Sequence, residues 1–95
     1  MKLHLKGFLL TQLHQLGGMR DTHLLALTMQ SYSLSDQFAR NSLRIALDEL
    51  SSAGLVQRQD PELMSEHGQE ILSFHYQLSH FGLERMHDTG LITTA

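Results

Sequence analysis

Apolar residues recur at helical spacing through the first half of the chain and alternate with polar ones in part of the second. Leu5, Phe8, Leu9, Leu13 and Leu16 fall three and four positions apart, which predicts one face of a helix within Leu3 to Leu16 that Gly17-Gly18 ends. Leu3 and Leu10 lie off that stripe, where they either cover neighbouring core residues or form a dimer seam. Leu24, Leu25, Leu27 and Met29 carry a second helix to about Tyr32, starting at Asp21 or Thr22, either of which can accept from a free first-turn amide. The stretch SYSLSDQ reads as a turn. Of the possible N-caps Ser33, Ser35 and Asn41, Ser35 is favoured, which puts Asp36 in the first turn where its charge complements the helix dipole.

The third helix, Ser35 to Ala53, points Leu43, Ala46, Leu47 and Leu50 inward and Arg40, Asn41, Arg44 and Asp48 outward. Gly54 stops it, and Leu55 to Gln59 reads as a strand that Asp60-Pro61 ends, because proline cannot continue a ladder. The segment DPELMSEHGQE is then a long polar loop. Beyond it ILSFHYQL alternates, with Leu72, Phe74, Tyr76 and Leu78 on one face and Ile71, Ser73, His75 and Gln77 on the other. Ser79 caps a last helix packed through Phe81, Leu83 and Met86 and stopped by Gly90, and the tail LITTA has no period. The expected fold is mainly α with a small β-hairpin, in one domain over residues 1–95.

A chain of 95 residues has a modest core, burying roughly 60–65% of its unfolded surface. With 41% apolar and 18% charged residues it has enough to bury, and it should fold. It has no cysteine, which excludes disulfides, thiolate nucleophiles and thiolate metal sites. No apolar run approaches the roughly 18–20 residues of a membrane span, and MKLHLKGFLL lacks a small-residue cleavage site, so the expected compartment is the cytoplasm. The formal charge of −3 weighs against non-specific affinity for phosphate, which comes from clustered Lys and Arg.

Two stretches resemble a known family. LRIALDELSSAGLVQR is similar to the junction of recognition helix and wing in MarR-like and ArsR-like winged helix-turn-helix regulators, and YQLSHFGLERM is similar to the place where the last strand turns into the closing helix. More distantly, the whole chain resembles small winged-helix proteins of Mu-like prophages. The resemblance implies a three-helix core, a two-stranded wing and a closing C-terminal helix. It also implies a phage-related regulator of transcription that binds double-stranded DNA, as a homodimer through the first or last helix, without a cofactor. Carried onto this sequence, Gln37, Arg40, Asn41 and Arg44 match the positions that read bases or touch phosphate, and Arg58 matches the basic residue at the base of the wing. Gln and Asn can pair with adenine and Arg with guanine, so the residue types are competent. Where the pattern departs is the wing: Asp60, Glu62, Glu66 and Glu70 are acidic, and no Lys or Arg lies between Arg58 and Arg85. A wing of that sign repels a phosphate backbone, so a second expectation stands beside the first: an interaction domain that docks a protein through the acidic wing or the apolar first helix, with little or no DNA binding.

Other chemistry finds less support. His80, Glu84 and His87 share a face of the last helix and could offer two imidazoles and a carboxylate to a metal, but such a trio is more often a wet surface. His4, His14, His23, His67 and His75 have no ligand spacing. Neither a nucleophile with its base nor a phosphate-cradling glycine loop emerges, so the chain is not expected to be an enzyme.

Overall fold

The computed structural model describes residues 4–66 and 68–91. Among these residues four helices accompany a three-stranded antiparallel sheet, in the order α1 (Leu5–Leu16), β1 (Met19–Arg20), α2 (Asp21–Ser31), α3 (Gln37–Ser52), β2 (Val56–Glu66), β3 (Gln69–Leu78) and α4 (His80–Asp88). The sheet order is β1-β3-β2: the short β1 pairs Met19 with Tyr76 and Arg20 with His75, and β2 pairs along the whole of β3.

The helical periodicity is right about the core. Leu9 and Leu13 of α1, Leu24, Leu25 and Met29 of α2, and Leu43, Ala46, Leu47 and Leu50 of α3 are buried together with Val56, Tyr76 and Met86. Leu10 belongs to that core as well and so is not free to form a seam, whereas Leu16, expected on the buried stripe, is exposed. Leu3 lies outside the described residues, as do His67 and the tail after Leu91.

The helix ends differ from expectation in two places. The N-cap of α3 is Asp36, whose Oδ1 accepts from the Ala39 amide at 2.8 Å; Ser35 lies one residue too early to reach it. Phe38 consequently sits in the first turn of the helix and is 79% exposed. Neither Asp21 nor Thr22 caps α2, since Arg20 is the cap residue and makes no side-chain capping bond. Asp21 is drawn instead to β3, where it accepts from Ser73 Oγ at 2.6 Å and from the Phe74 amide at 3.3 Å. At the far end of α3, Gly54 takes φ +80°, which lets the Leu55 amide reach back to the Leu50 carbonyl at 3.0 Å.

The long polar loop does not exist. β2 runs on through Asp60-Pro61 to Glu66, which pairs directly with Gln69. Proline is accommodated because the register slips between Gln59 and Glu62: Asp60 adopts φ +52° and the pair bulges at a position where no ladder donor is required. In β3 the expected alternation holds for Tyr76, which is buried, and fails for Leu72, which is half exposed, and Ser73, which is buried. The outer half of the hairpin lies against the polar side of α3 rather than the core. Leu72 accordingly lines, with Arg44 and Asp48, a cavity of about 90 Å³.

Ser79 caps α4 as expected, accepting from the Gly82 amide at 2.8 Å. Its hydroxyl also sits 2.6 Å from the Gly54 carbonyl and 2.9 Å from that of Leu55, tying the start of α4 to the end of α3. Met86 is buried, but Phe81 is half exposed. The residue that meets the body in its place is Gly82, which packs directly on the Leu55 carbonyl. No helix among the described residues is long and apolar enough to cross a membrane.

Candidate nucleic-acid interface

The residues expected to read DNA occupy about two successive turns of α3 and share one side of it, within an arc of about 100°. Gln37 and Asn41 are exposed on the outward face, together with Phe38 and Ile45. Arg40 and Arg44 lean to the side, toward the end of the hairpin, with side chains only 28% and 19% exposed.

What they lean on is Glu66, the last residue of β2. Its Oε2 lies 2.8 Å from Arg44 Nη2 and 3.9 Å from Arg40 Nη1, and its Oε1 accepts from Gln37 Nε2 at 3.4 Å. Gln37 donates from the same nitrogen to Asn41 Oδ1 at 2.9 Å. The other terminal nitrogen of Arg44 reaches Asp21 Oδ2 at 3.2 Å, so one guanidinium joins α2, α3 and the hairpin. Burial alone would push the Glu66 carboxyl upward. The charge of Arg44, the hydrogen bonds from Gln37 and Arg44, and the charge of Arg40 together outweigh it and hold the group below its ordinary value near 4.5. Glu66 is therefore ionised at neutral pH and neutralises the basic end of α3.

Arg58, assigned by resemblance to the base of the wing, is engaged too. Its Nε donates to Ser51 Oγ and its Nη1 to Asp48 Oδ1, each at 3.1 Å, and its guanidinium lies 4.8 Å from the centre of the Phe74 ring. Beside it the Tyr76 phenol is pushed above its usual range, first by burial, with Asp48 and Asp21 adding to the effect and Arg58 and Arg44 opposing it.

The pairing extends over the surface. Lys6 is bridged to Glu49 at 3.3 Å and Arg20 to Glu62 at 3.5 Å, which leaves Arg85 as the one described Lys or Arg without an ion pair among the described residues. Exposed pairs of this kind are worth only about 0–1 kcal/mol and yield readily. The Arg44–Glu66 pair is less exposed than these, at 19% and 13%.

On α4, His80 Nε2 lies 2.9 Å from Glu84 Oε1. No group of three His, Cys, Asp or Glu among the described residues could hold a metal ion, and His87 does not complete a site with those two.

Sequence reasoning misses three residues at this site. Asp21 reads as a helix cap, Ser73 as a surface position of an alternating strand, and Glu66 as one of several acids on a loop. The available signal is the acidic balance of the hairpin against the Arg pair of α3, but it does not identify which carboxylate meets which guanidinium. Set beside known protein families, curated proteins and solved structures, the chain matches none of them.

Proposed function

We propose that the chain is a winged-helix domain that docks a protein partner and leaves duplex DNA alone. The winged-helix reading is supported by the order of the elements, with a short strand between the first two helices that joins the far side of the hairpin. The observation that carries the functional reading is Glu66, which occupies the cations that DNA recognition would need.

A phosphate or base edge approaching Arg44 must displace a carboxylate that remains tethered within a few ångströms and repels it. Because the pair is only partly exposed, it is screened less than a surface pair, and an incoming group must compete with it at close range. The surface left for a partner is apolar: Phe38 and Ile45 on the outward face of α3, and Leu63 and Leu72 opposite one another on the hairpin. The first helix is the poorer candidate for that role, because Leu9, Leu10 and Leu13 are buried. Self-association through α1 or α4 would use the exposed Leu16 or Phe81.

The test is a titration of fluorescent random-sequence duplex at low salt, where a DNA-binding domain has measurable affinity that falls steeply as salt is added. No binding is expected. Salt-sensitive binding that is lost in Arg44→Ala would overturn the reading and restore α3 as a DNA-reading helix.

A further inference from the structure

We infer that Glu66 is the residue that denies nucleic-acid phosphate to α3: Gln37, Arg40 and Arg44 form an anion site whose occupant is the chain's own carboxylate. This rests on the proposal that the native protein does not bind DNA, and it names the cause.

Three observations support it. The donors converge on one carboxylate, from Gln37 Nε2 at 3.4 Å, Arg40 Nη1 at 3.9 Å and Arg44 Nη2 at 2.8 Å, and two guanidiniums with an amide suit a phosphate as well as a carboxylate. The site is also prearranged without Glu66. Arg44 is held from behind by Asp21 at 3.2 Å, and Asp21 is fixed by Ser73 at 2.6 Å, so Arg44 would keep its place if the Glu66 charge were removed. Finally, there is room beside the carboxylate. A cavity of about 200 Å³ is lined by Gln37, Asn41, Arg44, Glu66, Gln69 and Ile71.

The other hairpin acids do not share this position. Glu62 pairs with Arg20 at 3.5 Å, and Glu70 stands opposite Ser65 on the exposed ladder without an ion pair to α3. Glu66→Gln and Glu70→Gln therefore change the net charge equally, but only Glu66→Gln frees Arg40 and leaves Arg44 to Asp21 alone. If Glu66 is the block, the two variants differ; if general acidity is the block, they behave alike.

The experiment measures anisotropy of a short random-sequence duplex with wild type, Glu66→Gln, Glu70→Gln and the double variant Glu66→Gln/Arg44→Ala over a salt series. Glu66→Gln should bind at least about tenfold more tightly than wild type or Glu70→Gln at low salt. Arg40 loses its one carboxylate while Arg44 keeps Asp21, so the dependence of log K on log salt should steepen by roughly 0.9. The double variant should lose most of the gain. Equal affinities for Glu66→Gln and Glu70→Gln, or no gain in either, would overturn the inference while leaving the protein-docking proposal in place. Tight, salt-sensitive binding by wild type would instead bring down that proposal, and with it the need for a block. Should Glu66→Gln fail to fold by circular dichroism, Glu66→Thr, a good strand former at a strand end, is judged by the same comparisons.

Discussion

Replacing Gly82 by alanine should destabilise the protein, although helix propensity predicts the opposite. Gly82 lies in the first turn of α4 with ordinary helical backbone, and exchanging Gly for Ala inside a helix gains up to about 1 kcal/mol. Here the added Cβ would fall well inside contact of the Leu55 carbonyl oxygen and 2.9 Å from Leu78 Cδ1. The Leu78 side chain can turn away, but the Leu55 oxygen cannot, because it accepts both the Ser79 amide at 3.1 Å and the Ser79 hydroxyl at 2.9 Å. Relief requires α4 to move off the end of α3, which stretches those two bonds and the one from Ser79 Oγ to the Gly54 carbonyl. Two donors are weakened, the Ser79 amide and its one hydroxyl proton shared by two carbonyls, at about 1 kcal/mol each; less the propensity gain, this leaves a net loss of roughly 1 kcal/mol. For a domain of this size that is a fall in Tm of roughly 4–8 °C. Urea unfolding followed by circular dichroism measures it directly. A Gly82→Ala protein as stable as wild type, or more stable, would refute the argument that close approach rather than backbone freedom requires glycine there.

Two further outcomes follow from the pair network. Asp21→Ala removes the acceptor for Ser73 Oγ, the Phe74 amide and Arg44 in a place where Asp21 itself is 2% exposed, so urea unfolding should register a loss of about 3–5 kcal/mol. Glu66, held below its ordinary value near 4.5 in the folded state, contributes stability that is fully present above that value and is lost as pH falls through the lower folded value. The stability difference between wild type and Glu66→Gln should therefore be largest above about pH 5 and shrink toward zero on acidification. A difference that stays constant below about pH 4 would contradict the ion pairing.

Periodicity makes the helices and their buried leucines legible in the sequence alone, because a 3.6-residue repeat is a local property that tertiary contacts only have to accept. The cap Ser79 is legible for the same reason. Positions set by partners distant in sequence are not: Asp21 looks like a cap until β3 is placed beside it, and Ser73 looks like a surface residue until Asp21 covers it. Pro61 looks like a strand terminator until the bulge gives it a place without a ladder donor. At the candidate site the sequence shows the residue types of α3 and the opposing charge of the hairpin. The consequence of that charge depends on geometry, since a carboxylate some distance away merely repels phosphate, while one 2.8 Å from Arg44 takes its place.

The bulge at Asp60-Pro61 has a consequence for how the molecule behaves among its own copies. β2 is an edge strand of eleven residues, long and largely solvent-facing, and a flat edge of that length is a template on which a neighbouring chain can add a strand. Near its middle stand a residue with positive φ, a proline with no amide hydrogen to offer and the carboxylates of Asp60 and Glu62. An incoming strand would lose register there and bring its own chain against like charge. The break that the register needs in order to admit Pro61 thus also works against strand addition along the edge of the hairpin.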